Sequence, residues 1–121
     1  MLLNDFFFIQ RIEKGDTSLK AFLSIDKNHQ IFDGHFPTIP IVPGVCMMQM
    51  MKEIMEDQLN NKFIIREGDN IKFLAVINPT EHSEIEADIQ YEQGQEGIRI
   101  SGTLFSGSLI FFKIKATLQV A

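Results

Sequence analysis

The sequence contains one cysteine, Cys46, one tyrosine and no tryptophan. A single cysteine excludes an intrachain disulfide and leaves no cysteine-based metal-ligand spacing. It fits a reducing compartment, and a cytoplasmic location is expected. Lys and Arg total 11 against 16 Asp and Glu, for a net charge of −5. The basic residues are scattered, so a nucleic-acid partner, which needs clustered cations against phosphates, is not expected. No apolar run approaches the roughly 20 residues of a membrane helix. The stretch Met1–Arg11 lacks the basic region and small-residue cleavage site of a signal peptide, and no membrane association is expected. Repeats, linkers and low-complexity segments are also lacking. At 121 residues, the expectation is a single domain over 1–121.

Two features stand out against these absences. Phenylalanine is abundant, with 11 residues. Its large apolar ring suits a core or an acyl-chain tunnel, and core packing is expected to take most of them. Proline is scarce, at four residues, but Pro37, Pro40 and Pro43 lie close together. Each fixes its own φ and biases the preceding residue towards an extended conformation. The result is a stiff arm, Gly34–Pro43, that carries His35 and runs through Gly44 into a segment free of Gly and Pro until Gly68. Backbone N–H groups at the start of a helix there are suited to an anion or a polarised carbonyl.

The chain reads as two strands, one helix and then about four more strands. Phe6–Ile12 and Leu19–Ile25 are strand-like, separated by a turn at Gly15-Asp16. A helix is expected from about 44 to 59, with Asn60-Asn61 as its stop. On it Met47, Met51, Ile54 and Gln58 share one side, with Val45, Met48 and Met55 beside them. Gln49, Lys52, Glu53, Glu56 and Asn60 form a polar stripe. Its start is expected to be buried nearly all round, its end to surface. Short strands follow at Lys62–Glu67 and Ile71–Ile77, divided by a turn at Gly68-Asp69-Asn70. Glu84–Glu92 alternates, with Ile85, Ala87, Ile89 and Tyr91 on one face. Ile98–Phe105 and Leu109–Val120 form a hairpin through Ser106-Gly107-Ser108. One helix with many antiparallel strands makes an α+β fold with the helix on one face of a sheet.

Gly34-His35-Phe36-Pro37, Pro40 and Pro43-Gly44-Val45, followed by a helix, resemble the signature of the β-hydroxyacyl-acyl carrier protein dehydratases. These are hotdog-fold enzymes of fatty acid synthesis. Asp5–Gly15 resembles that family's first strand and turn, and Lys72-Phe73 with Asn78-Pro79-Thr80-Glu81 resembles a later element in weakened form. The resemblance implies a hotdog fold, about six antiparallel strands wrapped around one central helix, and no cofactor or metal. It implies a 3-hydroxyacyl thioester as substrate, acyl carrier protein as partner, and a homodimer in which the histidine of one subunit works with the acid of the other. Position by position, the catalytic base falls at His35 and the oxyanion-donating N–H at Gly44. Phe36, Pro43 and Val45 are then expected to line the substrate site.

The family's helix acid falls at Gln49. An amide has no titratable proton to donate, whereas general acid catalysis is worth roughly 10²–10⁴-fold. Several readings stay open. The chain can be a dehydratase in which Gln49 only orients a hydroxyl or water. It can be a non-catalytic or half-catalytic subunit that pairs with a paralogue supplying the carboxylate, or a binder of acyl chains or carrier protein without turnover. A hotdog thioesterase is a further alternative, weakened equally by Gln49. Glu53, one turn on, is either a substitute acid or a solvated helix charge. Thr38 stands where the family has glycine, and the family's Pro-His-Arg-Tyr-Pro segment is missing. His29 and His82 are expected to be solvated and Cys46 buried. Arg66, Lys72 and Lys115 are candidates to meet a carrier protein's phosphate and acidic surface.

Overall fold

The computed structural model describes residues 1–33 and 40–121. His35 and Phe36, together with Pro37 and Thr38, lie outside the described residues. Six strands and one α-helix follow in the order β1 (Phe7–Lys14), β2 (Ser18–Ile25), α1 (Gly44–Leu59), β3 (Phe63–Phe73), β4 (Glu84–Gly94), β5 (Gly97–Ser106) and β6 (Leu109–Val120), with a 3₁₀ turn at Gln30–Phe32. The strands form one antiparallel sheet in the order β1-β2-β4-β5-β6-β3. Thus α1 and β3 are inserted between two strands that are neighbours in space, and β3 forms the far edge. The sheet with its one helix is the hotdog architecture implied by the motif.

Side-chain alternation explains which face of the sheet receives α1. Leu19, Ala21, Leu23 and Ile25 of β2 are buried, as are Ile85, Ala87 and Ile89 of β4 and Ile98, Ile100 and Leu104 of β5. Period-two patterning places each set on one face. Against it lie Met50, Met51, Ile54 and Met55 of α1, all fully buried. Gly102 of β5 makes room for Met51, since a Cβ there would sit 3.0 Å from the Met51 methyl group. Methionine suits such a curved contact because it is unbranched and adaptable. Of the phenylalanines, Phe6, Phe7, Phe32, Phe63, Phe111 and Phe112 are buried, Phe8, Phe22 and Phe105 are half-buried, and Phe73 is exposed.

Turn chemistry closes the hairpins. Gly107 (φ 59°) carries the β5–β6 connection. Gly97 adopts φ 136°, and any side chain there would overlap the Leu118 carbonyl. Asn60 ends α1 in the left-handed region at φ 52°, where Asn is tolerated.

Two expectations need correction here. Gly68-Asp69-Asn70 is not a turn between strands. It lies within a continuous β3 paired to β6, where the register slips between Ile65 and Glu67 and again between Gly68 and Asn70. An edge strand tolerates such bulges because only one side is hydrogen-bonded, and Gly and Asn accept the local distortion. The strand also stops at Phe73 rather than Ile77. The burial of α1 differs in part: Cys46 and Met47 near its start are buried and its last turn surfaces, as expected, but Val45 is 72% exposed, and Glu53 and Glu56 of the polar stripe are buried.

Candidate functional site

The start of α1 presents free donors. Its N-cap is Pro43, which has no side chain to cap the helix, and the first turn contains no acidic residue. Cys46 and Met47 direct their N–H groups to the Pro43 carbonyl at 3.0 and 3.3 Å. The N–H groups of Gly44 and Val45 find no partner among the described residues. These are the orphan donors of a helix N-terminus, at the positive end of its dipole. The approach is held in place: Val42 is buried and donates its N–H to the Ile77 carbonyl at 3.0 Å.

Phe73, from the end of β3, covers Gly44. A Cβ on Gly44 would meet Phe73 Cε1 at 2.8 Å and Cζ at 3.0 Å. The ring leans on Phe112, with centroids 5.2 Å apart, yet remains 54% exposed. Val45, Leu74 and Val76 are also more than half exposed, so large apolar side chains gather where α1 begins and β3 ends.

Gln49 is half-buried, and its Nε2 donates to Glu53 Oε2 at 2.6 Å. Glu53 is not a solvated helix charge. It is fully buried, and its carboxylate also accepts the backbone N–H groups of Leu2 and Leu3. With its acceptor sites given to three N–H donors, it is an anchor for the N-terminal segment and is not placed as a substitute acid. Glu56, the second buried carboxylate, accepts the Phe63 N–H at 2.8 Å and lies 3.6 Å from Lys52 Nζ. It ties the end of α1 to the start of β3.

The other histidines are not simply solvated. The His29 ring leaves only 11% of its side chain exposed. Its Nδ1 accepts the Ile31 N–H at 2.9 Å, capping the 3₁₀ turn, and Nε2 is 3.1 Å from Asp5 Oδ2. The Nδ1 contact requires an unprotonated Nδ1, so Nε2–H is the donor to Asp5. The ring edge also meets Phe6 at 5.5 Å. His82 is half-buried against Phe111. Cys46 is buried, and desolvation pushes its thiol pKa up, which disfavours the nucleophilic thiolate. Arg66 is engaged by Glu96 at 3.4 Å, whereas Lys72 and Lys115 are exposed and take part in no ion pair among the described residues. A concavity of ≈ 990 Å³ is a charged groove by the β4–β5 turn, lined by Glu67, Asp69, Glu92, Arg99 and Lys115 among others. No residue of α1 lines it, so it is separate from the helix start.

Gly44, Pro43, Val45 and Gln49 are thus gathered on the first two turns of one helix, as the sequence implies. The roles of Glu53 and Phe73 were not legible, since both depend on contacts distant in sequence. The signal closest to hand is that Glu53 lies between Met50, Met51, Ile54 and Met55 in the most apolar part of the helix.

A model of the ApeI-like family, described as the ApeI dehydratase, matches residues 11–106. The chain belongs to the ApeI-like dehydratase family. Among curated relatives, the 3-hydroxyacyl-acyl-carrier-protein dehydratase FabZ of Clostridium acetobutylicum is 28% identical over 97 residues, covering 74% of this chain and 68% of that protein. The FabZ of Campylobacter hominis is 32% identical over 88 residues, covering 64% and 61%. Among solved structures, a chain of the dehydratase heterocomplex ApeI:P from Xenorhabdus doucetiae superposes with TM-score 0.72 at 18% identity, covering 91% of this chain and 95% of that one. An uncharacterized protein from Erwinia carotovora subsp. atroseptica superposes with TM-score 0.68 at 21% identity, covering 92% and 91%. Membership of the ApeI-like family agrees with the hotdog fold, and no helix among the described residues is long and apolar enough to cross a membrane.

Proposed function

We propose that this chain is a (3R)-hydroxyacyl thioester dehydratase-like subunit that acts on acyl groups borne by an acyl carrier protein, in fatty acid or related acyl-chain biosynthesis. The observation that carries the reading is the pair of N–H groups at Gly44 and Val45, without a partner among the described residues, at the start of the helix that follows His-Phe-Pro in sequence. A thioester carbonyl bound there gains negative charge as C2 loses its proton, and preorganised N–H donors stabilise that charge. His35 is the base. It takes the C2 proton, the C2–C3 double bond forms as the C3–O bond breaks, and the departing hydroxide leaves as water once it receives a proton. Pro43, Val45 and Phe36 flank the acyl thioester.

The source of that last proton separates two forms of the proposal. Gln49 cannot supply it. A homodimer of this chain therefore places an amide opposite each His35, and turnover is impaired. A heterodimer with a paralogue bearing Glu or Asp at the equivalent position places a carboxyl group opposite the His35 of this chain. Gln49 favours the second form, and the exposed apolar cluster of Val45, Phe73, Leu74 and Val76 is a surface that either dimer would cover. That a structural neighbour is a chain of a dehydratase heterocomplex agrees with it.

The test uses a 3-hydroxyacyl pantetheine thioester and follows the ultraviolet absorbance of the 2-enoyl product. The chain mixed with a carboxylate-bearing paralogue is expected to form product, and His35→Ala in this chain to lower the rate by roughly 10² or more. Absence of turnover from the chain alone and from every such mixture, with no binding of a saturated acyl pantetheine, would overturn the reading.

A further inference from the structure

The two oxygens of the Glu53 carboxylate have separate tasks. Oε1 accepts the Leu2 and Leu3 N–H groups at 2.9 and 2.7 Å, the Leu2 N–H being shared with Oε2 at 3.0 Å. Oε2 accepts Gln49 Nε2 at 2.6 Å. A carboxylate offers only acceptor sites, so it selects which end of an amide faces it. Nε2 of Gln49 is drawn to Glu53, and Oε1 of Gln49 is directed elsewhere, with no hydrogen bond among the described residues. Because Glu53 is fully buried and held on two sides, that choice is rigid.

We propose that Glu53 is a positioning residue that turns Gln49 into a hydrogen-bond acceptor for the 3-hydroxyl group of the bound acyl chain. The proposal rests on the acyl-thioester reading of the site. It gives Gln49 a definite task, to distinguish hydroxylated from saturated chains, which needs no proton transfer. It also accounts for the position of the charge: a carboxylate one turn along α1 orients the amide without itself facing the substrate.

The division of labour makes a reciprocal exchange possible. In Glu53→Gln, the new Oε1 can keep the Leu2 and Leu3 N–H groups, but its NH₂ group then faces Gln49. Two NH₂ groups cannot bond to each other, so Gln49 must turn and present N–H where it presented oxygen. In the double variant Gln49→Glu/Glu53→Gln, the NH₂ group at position 53 donates to the carboxylate at 49, every hydrogen bond of the pair is kept, and an acceptor again faces outward. In Gln49→Glu alone, two carboxylates meet where a 2.6 Å bond ran.

The experiment measures affinity for 3-hydroxyacyl pantetheine and for the saturated acyl pantetheine of the same length, with thermal melting to verify folding. Wild type is expected to prefer the hydroxylated compound by roughly fivefold, the value of one neutral hydrogen bond. Gln49→Leu is expected to lose the preference while still binding the saturated chain. A hydroxyl group accepts as well as donates, so Glu53→Gln is read with the acceptor-only 3-oxoacyl pantetheine, which wild type is expected to bind no better than the saturated chain and Glu53→Gln to bind better by roughly fivefold. The double variant is expected to return to the wild-type pattern. Since Gln49→Leu leaves both Leu2 and Leu3 bonds intact, it stands as the test if Glu53→Gln does not fold. No gain of 3-oxoacyl binding in Glu53→Gln, or equal wild-type affinity for the hydroxylated and saturated compounds, would overturn the positioning role. Failure of wild type to bind either compound would instead overturn the acyl-thioester reading and this role with it.

Discussion

At the scale of single residues, Glu53 shows how a charge on a polar stripe becomes part of the interior. Helical periodicity puts it beside Gln49, Lys52 and Glu56, where a solvated carboxylate is the ordinary outcome. Burial is stabilised here by three N–H donors, two of them from Leu2 and Leu3. Removing the acceptor strands those donors, and each buried unsatisfied group costs about 1–3 kcal/mol. Glu53→Ala is therefore expected to lower the melting temperature by several degrees. It should also release the N-terminal segment, which faster amide exchange at Leu2 and Leu3 would reveal. A melt equal to wild type would refute the anchor. The positions of Gly44 and Gln49 on the first turns of α1 were legible beforehand because they follow from a local motif. Glu53 was not, because its partners lie at the other end of the sequence and no periodicity reports them.

At the scale of elements, α1 has the bounds that its neighbours dictate. Pro43 cannot continue a helix backwards, and Asn60 accepts the left-handed conformation that ends it. Those signals are local, so the extent of the helix, about 44 to 59, was readable from the sequence. β3 was not, because Gly68-Asp69-Asn70 has turn composition yet is carried through as bulges by pairing with β6. The end of β3 then matters to the start of α1 through Phe73. Gly44→Ala forces the Phe73 ring aside, and because that ring is half exposed it can yield. Stability is expected to change by less than about 1 kcal/mol, since alanine's helix preference offsets the displacement. In a Phe73→Ala background the same change should become stabilising by up to about 1 kcal/mol. Denaturant unfolding of the four proteins in this cycle measures the difference. A loss of several kcal/mol for Gly44→Ala in both backgrounds would show that something other than Phe73 crowds the glycine. Gly97→Ala is a contrasting case, with φ 136° and the Leu118 carbonyl in the way. It is expected to cost about 1–3 kcal/mol, because neither the backbone nor the carbonyl can yield.

At the scale of the whole molecule, both edge strands carry charges and bulges that discourage further pairing, and what distinguishes the β3 side is the apolar surface at its end. β1 carries Arg11, Glu13 and Lys14 and a bulge after Ile9, features that discourage further pairing. β3 ends in the exposed apolar cluster of Phe73, Leu74 and Val76 next to Val45. A second hotdog subunit seated there would cover that surface, in line with the proposed dimer. Val76→Lys with Val45→Lys is expected to abolish dimers, of the chain with itself or with a carboxylate-bearing paralogue, in native mass spectrometry while leaving its circular dichroism unchanged. Persistence of the dimer would place the interface elsewhere.

The insertion of α1 and β3 between β2 and β4 also has a consequence in time. The β1–β2 and β4–β5–β6 pairings join neighbours along the chain, whereas β2–β4 brings Ser24 against Glu84 and β3 must return to the far side of β6. Local pairings close cheap loops and form early, and long-range ones come late. Both hairpin units can therefore assemble before the helix that bears Gly44 and Gln49 is clamped between them. The part of the protein proposed to do chemistry is then docked last, and pulse-labelled hydrogen exchange during refolding should protect β5 before α1.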